Sequence, residues 1–209
     1  MHSRKLLGLL PLASILFAGC YPETPESISE YDVVYTNYSP TYDFTNARTY
    51  SLPDSVVLIS GNLANGELPE CMNPIYGDQI LTRIRQNLNS SGWTEVNEVD
   101  SADVIVLPSV ISSEVVSVYN YGWGYWGWYY PYYGAGWYYP GYYPTYTSYT
   151  SGTLLMQMTD PSRISAANDV PVVWLAILNG VLEGSTADLA NRTLKSIDQS
   201  FTQSEYLKH

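Results

Sequence analysis

The residues that could carry acid–base or metal chemistry in this chain are few, and their spacing does not assemble them. Its two histidines are His2 and His209. Their positions put no Ser-His-Asp arrangement and no His-based zinc ligand set inside a folded domain. Neither Cys20 nor Cys71 has a nearby histidine to activate its thiol. Carboxylates gather at Glu95, Glu98, Asp100 and Asp103, but their spacing fits no EF-type calcium loop and reads as a solvated acidic loop. Asp160, Arg163 and Asp169 read as turn and cap residues. No G-x-x-x-x-G-K-[ST] run is present, and Gly122, Gly124 and Gly127 lie in aromatic low complexity with no helix following, so no phosphate cradle is expected. An enzyme, a cofactor and a metal are therefore not expected. The remaining enzymatic alternative is a hydrolase built on a carboxylate pair alone.

The stretch that stands apart is Tyr119 to Tyr149, YNYGWGYWGWYYPYYGAGWYYPGYYPTYTSY. It holds thirteen of the 21 tyrosines and four of the six tryptophans, and it carries no charge. Six glycines and three prolines oppose a helix, and thirty-one residues fully extended would reach about 100 Å, far beyond one strand. Gly127-Trp128-Tyr129-Tyr130-Pro131 recurs as Gly136-Trp137-Tyr138-Tyr139-Pro140. Flat aromatic faces with polar tips suit stacking on sugars, proline-rich peptides or a lipid headgroup layer. Trp123, Trp126, Trp128, Trp137, Tyr130 and Tyr139 are the candidate contact residues.

The remaining chemistry-bearing residue is Cys20. Arg4-Lys5, an apolar run from Leu6 to Ala18 and then Gly19-Cys20 form an export signal over residues 1–19, too short to span a bilayer comfortably. Leu16-Phe17-Ala18-Gly19-Cys20 resembles the lipobox of bacterial lipoproteins, with Phe17 where Leu is usual. That resemblance implies a diacylated Cys20 as mature N-terminus and an anchor that does not cross the membrane; acyl chains contribute about 0.8 kcal/mol per buried CH₂. It also implies sorting to the outer membrane, since Tyr21 stands where an Asp would favour inner-membrane retention. Glu23 and Glu26 are a weak form of the acidic signal for export to the cell surface. With Cys20 in a thioether, Cys71 has no partner in the chain and is expected to be buried and inert. Without the signal the chain keeps 7 basic against 20 acidic residues, a charge of −13. Such a surface repels phosphate backbones, so nucleic acid is not an expected partner.

Residues 20–30, rich in proline and acid, should form a tether, followed by a single domain over 31–205 with the aromatic insert at 120–149. Strand-like runs fall at Tyr31–Thr36, Arg48–Leu52, Val56–Ile59, Trp93–Val96 and Ala102–Leu107, with Pro108 marking an edge or bulge before extension resumes from Val110 to Tyr119. Beyond the insert, Gly152–Thr159 and the nearly continuous apolar run Val170–Leu182 form a hairpin. Asn73-Pro74 and the stripe Ile80, Ile84, Leu88 predict a helix over about 74–90, stopped by Gly92. Ser185 with Asp188, and the stripe Leu189, Leu194, Ile197, Phe201, predict a second over about 186–205. The expected fold is α+β: a mostly antiparallel sheet with both helices packed on it.

This arrangement resembles the domain-of-unknown-function 4136 family of bacterial lipoproteins. The likeness rests on Tyr42-Asp43-Phe44 with Arg48-Thr49-Tyr50, the Ile80-to-Gly92 helix, the Ala102-to-Val106 strand, and Gly152-Thr153-Leu154 with Val173-Trp174. Leu175 stands where that family often has a polar or basic residue. The resemblance implies a small α+β envelope lipoprotein and no catalytic residues. Two readings of the insert follow. In one it is the working surface of a non-enzymatic binding module that contacts peptidoglycan, a glycan or another envelope protein. In the other the domain is an envelope scaffold or assembly subunit and the tract is a spacer.

Overall fold

Val172 to Leu178 is apolar at every position, the pattern expected of a strand flanked on both edges and buried on both faces. The computed structural model, which describes residues 33–60, 68–97, 101–111, 136–138, 152–163, 169–182 and 186–209, puts that run in such a place. It forms most of the strand β8 (Asp169–Asn179), with β1 (Val33–Tyr38) antiparallel on one edge and β7 (Thr153–Thr159) antiparallel on the other. A register shift between Met158 and Thr159 marks a bulge.

Next to β7 lies β5 (Val104–Ile111), again antiparallel. Its outer edge is shared by β2 (Thr49–Ser51), paired to residues 104–105, and β3 (Val57–Ile59), paired to residues 109–111. Both pairings are parallel, as are those of β4 (Thr94–Glu95) on β2 and β6 (Gly136–Tyr138) on β8. The main order is β1-β8-β7-β5-β2-β4. The sheet is thus mixed, which corrects the expectation of a mostly antiparallel one. For the pairings of β2, β3, β4 and β5 the cause is α1 (Pro74–Ser90): it lies between β2/β3 and β4/β5 in the chain, and a helical crossover of this kind returns the next strand in the same direction. Pro108 sits, as expected, on an open stretch of strand edge, though within a strand that is paired on that side before and after it. It lies inside β5 opposite Met156, where β2 has ended and β3 has not begun, a place that can spare an N–H.

α1 starts as its sequence dictates, with Asn73 Oδ1 accepting from the Ile75 amide at 3.0 Å and Pro74 in the first turn. Its end closes in a Schellman arrangement: the Trp93 amide donates to Leu88 O and the Gly92 amide to Asn89 O, with Gly92 at φ +93. α2 (Thr186–Thr202) stops short of residue 205, and a 3₁₀ turn over Glu205–Leu207 follows. Ser185 lies outside the described residues.

The helices cover one face of the sheet. Ile80, Ile84 and Leu88 of α1, and Ile197 and Phe201 of α2, join Val104, Val106, Val110, Leu154, Met156, Met158, Trp174, Ala176 and Leu178 in one buried cluster. Each such side chain contributes about 1.5–3 kcal/mol by leaving water. Among the described residues no helix is long and apolar enough to cross a membrane.

Candidate functional site

Strand register defines two ends of the sheet. One rung runs Val33, Asn179, Thr153, Ile111, Ile59, through cross-strand partners and their immediate neighbours. At this end the chain enters β1, and here β5 stops and β7 begins. Ile111 and Thr153 are direct partners, the Gly152 amide donates to Ile111 O at 2.8 Å, and the Leu182 amide donates to Gly152 O at 3.0 Å. The described chain therefore begins at Val33, stops at Ile111 and resumes at Gly152 on or beside one rung.

A groove opens between the first turns of the helices, near Leu182. It has a volume of about 210 Å³ and is lined by Met72, Tyr76, Ile80, Leu182, Thr193 and Leu194 among others. The hydroxyl of Thr193 is used on Val181 O at 3.2 Å, which leaves a mostly apolar wall. Ile75, 69 % exposed, and Leu68, 72 % exposed, add apolar surface on the segment that leads into α1. This is a surface for apolar contact; it converges no acid, base or nucleophile.

The opposite end is polar and tightly bonded. Asp103 Oδ2 accepts from the amides of Arg48 and Thr49 and from the Thr49 hydroxyl, each at 2.8 Å. Burial raises the Asp103 carboxyl, but those donors and the Arg48 charge outweigh it and hold it below its ordinary 3.8. Arg48 Nη1 donates to His209 Nδ1 at 2.7 Å, and the His209 ring lies 4.9 Å from that of Trp93. Burial, then the Arg48 charge, lowers the imidazole below its ordinary 6.5 and keeps it a neutral acceptor. Tyr42 faces the Arg163 guanidinium at 5.3 Å, and Arg163 pairs with Asp160 at 3.3 Å. Burial, followed by the Asp160 charge, raises the Tyr42 phenol far above its ordinary value, so it stays protonated.

The acidic residues read from sequence are thus separated into structural tasks. Glu95 pairs with Arg85 at 2.8 Å and Asp103 joins β2 to β5, while Glu98 and Asp100 lie outside the described residues. Asp160 Oδ1 accepts from the Ser162 amide at 2.9 Å, as a turn residue does, and Asp169 opens β8. Among the described residues no three potential metal ligands gather. Cys71 is exposed and free, which corrects the expectation of burial. It bridges Val57 in extended backbone, and its neighbour Met72 packs against the core, so alternation turns Cys71 outward. Sequence reasoning passed over His209, because nothing local tells that a residue at that position returns to the Gly92 turn. Of the aromatic candidates, Trp137 falls in β6, paired in register with Val170. Cys20, Trp123, Trp126, Trp128, Tyr130 and Tyr139 lie outside the described residues.

No curated protein matches the chain. Among solved structures it is similar to a DUF4136 family protein from Bacteroides thetaiotaomicron, with 28 % identity over 85 % of this chain and 97 % of that one and a TM-score of 0.65. More distant likenesses are a PelC dodecamer subunit from Paraburkholderia phytofirmans, 12 % identical over 85 % of this chain and 97 % of that one with a TM-score of 0.40, and a PDZ domain protein from Parabacteroides distasonis, 14 % identical over 85 % and 37 % with a TM-score of 0.41. The sequence matches the profile of the Domain of unknown function (DUF4136) over residues 34–204, which spans both helices and all the paired strands but the first residue of β1, and the chain belongs to that family.

Proposed function

We propose that this chain is a lipoprotein of the bacterial envelope, anchored through lipid on Cys20 at the outer membrane, on its periplasmic side or at the cell surface. In this reading it is a non-enzymatic interaction module. Its contact surface is the aromatic tract, and its partner is peptidoglycan, a glycan or another envelope protein. The observation that supports this is the shared rung: Val33, where the tether arrives, and Ile111 and Thr153, which bound the tract, lie in one row at one end of the sheet. A short tether would join the domain to Cys20 at the end where Val33 lies, the same end at which Ile111 and Thr153 flank the tract.

Fractionation and binding test it. The Cys20→Ser chain should move from the membrane pellet to the soluble fraction. The chain with Trp123, Trp126, Trp128 and Trp137 replaced by Ser should bind purified sacculi, envelope glycans and envelope proteins at least about tenfold more weakly, as expected of aromatic anchors. Unchanged binding in the second variant overturns the contact-surface reading, and a membrane-bound Cys20→Ser chain overturns the anchor.

A further inference from the structure

Among the described residues the exposed large apolar side chains are Tyr38, Leu68, Ile75 and Tyr76. Tyr38 lies at the far end of β1, opposite Trp174. The other three gather at the end of the molecule where β1 begins, and register explains why. The Met72 amide donates to Val56 O and the Leu58 amide to Glu70 O, both at 2.8 Å. The chain before α1 thus runs antiparallel beside β3 and carries Leu68 past Ile59. Pro74 then opens α1 at that end, with Ile75 and Tyr76 in its first turn. Tyr76 continues the stripe of Ile80, Ile84 and Leu88 by one turn, beyond the cover that the sheet gives the other three.

α2 lies at the same end. Arg192 Nη2 and Thr193 Oγ1 donate to Gly180 O and Val181 O, both at 3.2 Å, just after β8 has finished. The groove of about 210 Å³ between the helices therefore opens beside Tyr76, with Met72, Leu182 and Leu194 in its wall and no charged side chain. It is smaller than the roughly 300 Å³ at which small-molecule sites begin, which suits shallow apolar contact better than an enclosed ligand.

We propose that this patch, Leu68, Ile75, Tyr76 and the mouth of the groove, is the surface by which the domain rests on the phospholipid layer that holds its anchor. This contact rests on the reading of Cys20 as lipidated, and it uses a different surface from the aromatic tract. Three observations select lipid over other occupants. First, the described chain begins at Val33, at the same end as the patch, and residues 21–32 separate it from Cys20. Twelve residues reach at most about 43 Å, so the anchor keeps this end close to the bilayer. A patch too small to hold a membrane unaided suffices there, because a tethered second contact is intramolecular.

Second, the chain carries a formal charge of −11, so a second copy is repelled whereas a zwitterionic lipid layer is not. Glu70 and Asp78 flank the patch, which makes an anionic layer the poorer partner. Third, the chemistry is that of an interface: Ile75 and Leu68 offer aliphatic surface, and Tyr76 offers a ring with a polar tip, the form that sits at headgroup level.

The test uses the full lipidated chain as Cys71→Ser, with Ile75→Cys carrying a nitrobenzoxadiazole label, reconstituted in phosphatidylcholine vesicles. The control carries the label at Glu205→Cys, exposed at the polar end. Lipids with dibrominated acyl chains should quench the label at 75 at least about threefold more than the label at 205, as expected of a side chain at the acyl boundary. Adding Leu68→Asp and Tyr76→Asp should abolish the excess while the chain still floats with the vesicles. The excess should persist when Trp123, Trp126, Trp128 and Trp137 are replaced by Ser; its loss there assigns the contact to the tract and overturns the proposal. Equal quenching at 75 and 205 in floating chains overturns it and leaves the anchor intact. A label at 75 shielded only as protein concentration rises assigns the patch to a second copy and also overturns it. Chains that do not float overturn the anchor reading, and this contact with it.

Discussion

At the scale of single residues, the polar end of the sheet is held by a few side chains whose partners lie far off in sequence. Asp103 is the chief of these, since one carboxylate oxygen joins three donors at the start of β2 to the start of β5. Asp103→Asn should lower the free energy of unfolding by about 1 kcal/mol in urea titrations, a modest figure because the group is partly solvated. The pH dependence has a definite sign. A carboxyl held below its ordinary 3.8 in the folded state stabilises above that value, and this contribution is lost as pH falls through the lower folded value. The gap between wild type and variant should therefore be constant near neutrality and shrink below about pH 4. A gap that widens in acid would contradict the assignment. Gly92 carries a different burden: its φ is +93, and a Cβ there would come within 2.9 Å of His209 Cβ. Gly92→Ala should cost about 1–2 kcal/mol. Pairing it with His209→Gly should recover the part due to the clash and leave the part due to φ, which a double-mutant cycle by thermal unfolding separates.

At the scale of elements, α1 is the most locally determined piece of the molecule. Its cap, its first-turn proline, its stripe and its glycine stop are all written within twenty residues, and the structure reproduces the predicted bounds at Pro74 and Ser90. Asn73→Ala should cost about 1 kcal/mol, and Leu88→Ala, from a fully buried site, about 2–5 kcal/mol. Circular dichroism with urea would show the first as a shifted midpoint with unchanged slope. The strands other than β6 were legible as strands, and their alternation separated the two faces. Their partners were not legible. Parallel pairing of β2 and β3 on β5 depends on how α1 carries the chain across, and no periodicity within a strand records that. Cys71 shows the same limit: composition and a lone thiol favoured burial, whereas its exposure follows from its neighbour Met72 taking the inward position.

At the scale of the whole molecule, the last described residues act as a closing strap on the helix-side core. The buried indole of Trp174 donates to Ser204 Oγ at 2.9 Å, the indole of Trp93 donates to Leu207 O at 2.7 Å, and the His209 amide donates to Ser91 O. Removing residues 204–209 leaves both indole N–H groups buried without partners, at about 1–3 kcal/mol each, and also uncovers the site of Leu207. Set against a total of about 5–15 kcal/mol, that loss should leave the truncated chain largely unfolded at 37 °C by hydrogen exchange. Retention of native-like protection would show that the strap is dispensable.

The sequence by itself determined the things that short-range physics controls. These are the lipobox-like run that ends at Cys20, the net negative charge, the bounds of α1, the apolar β8 and the uncharged aromatic tract. Each depends on residues within a turn, a strand or a run. Only the tertiary structure decided what lies beside what. It made the sheet mixed, brought His209 to Arg48 and Trp93, turned Cys71 outward, and set Ile111 and Gly152, between which the tract lies in the chain, beside the rung where β1 begins. It also altered the meaning of the tract. Read along the chain, the tract is an insert in a fold that is complete without it. Read in space, the residues that flank it, Ile111 and Gly152, are hydrogen-bonded neighbours in the middle of the sheet.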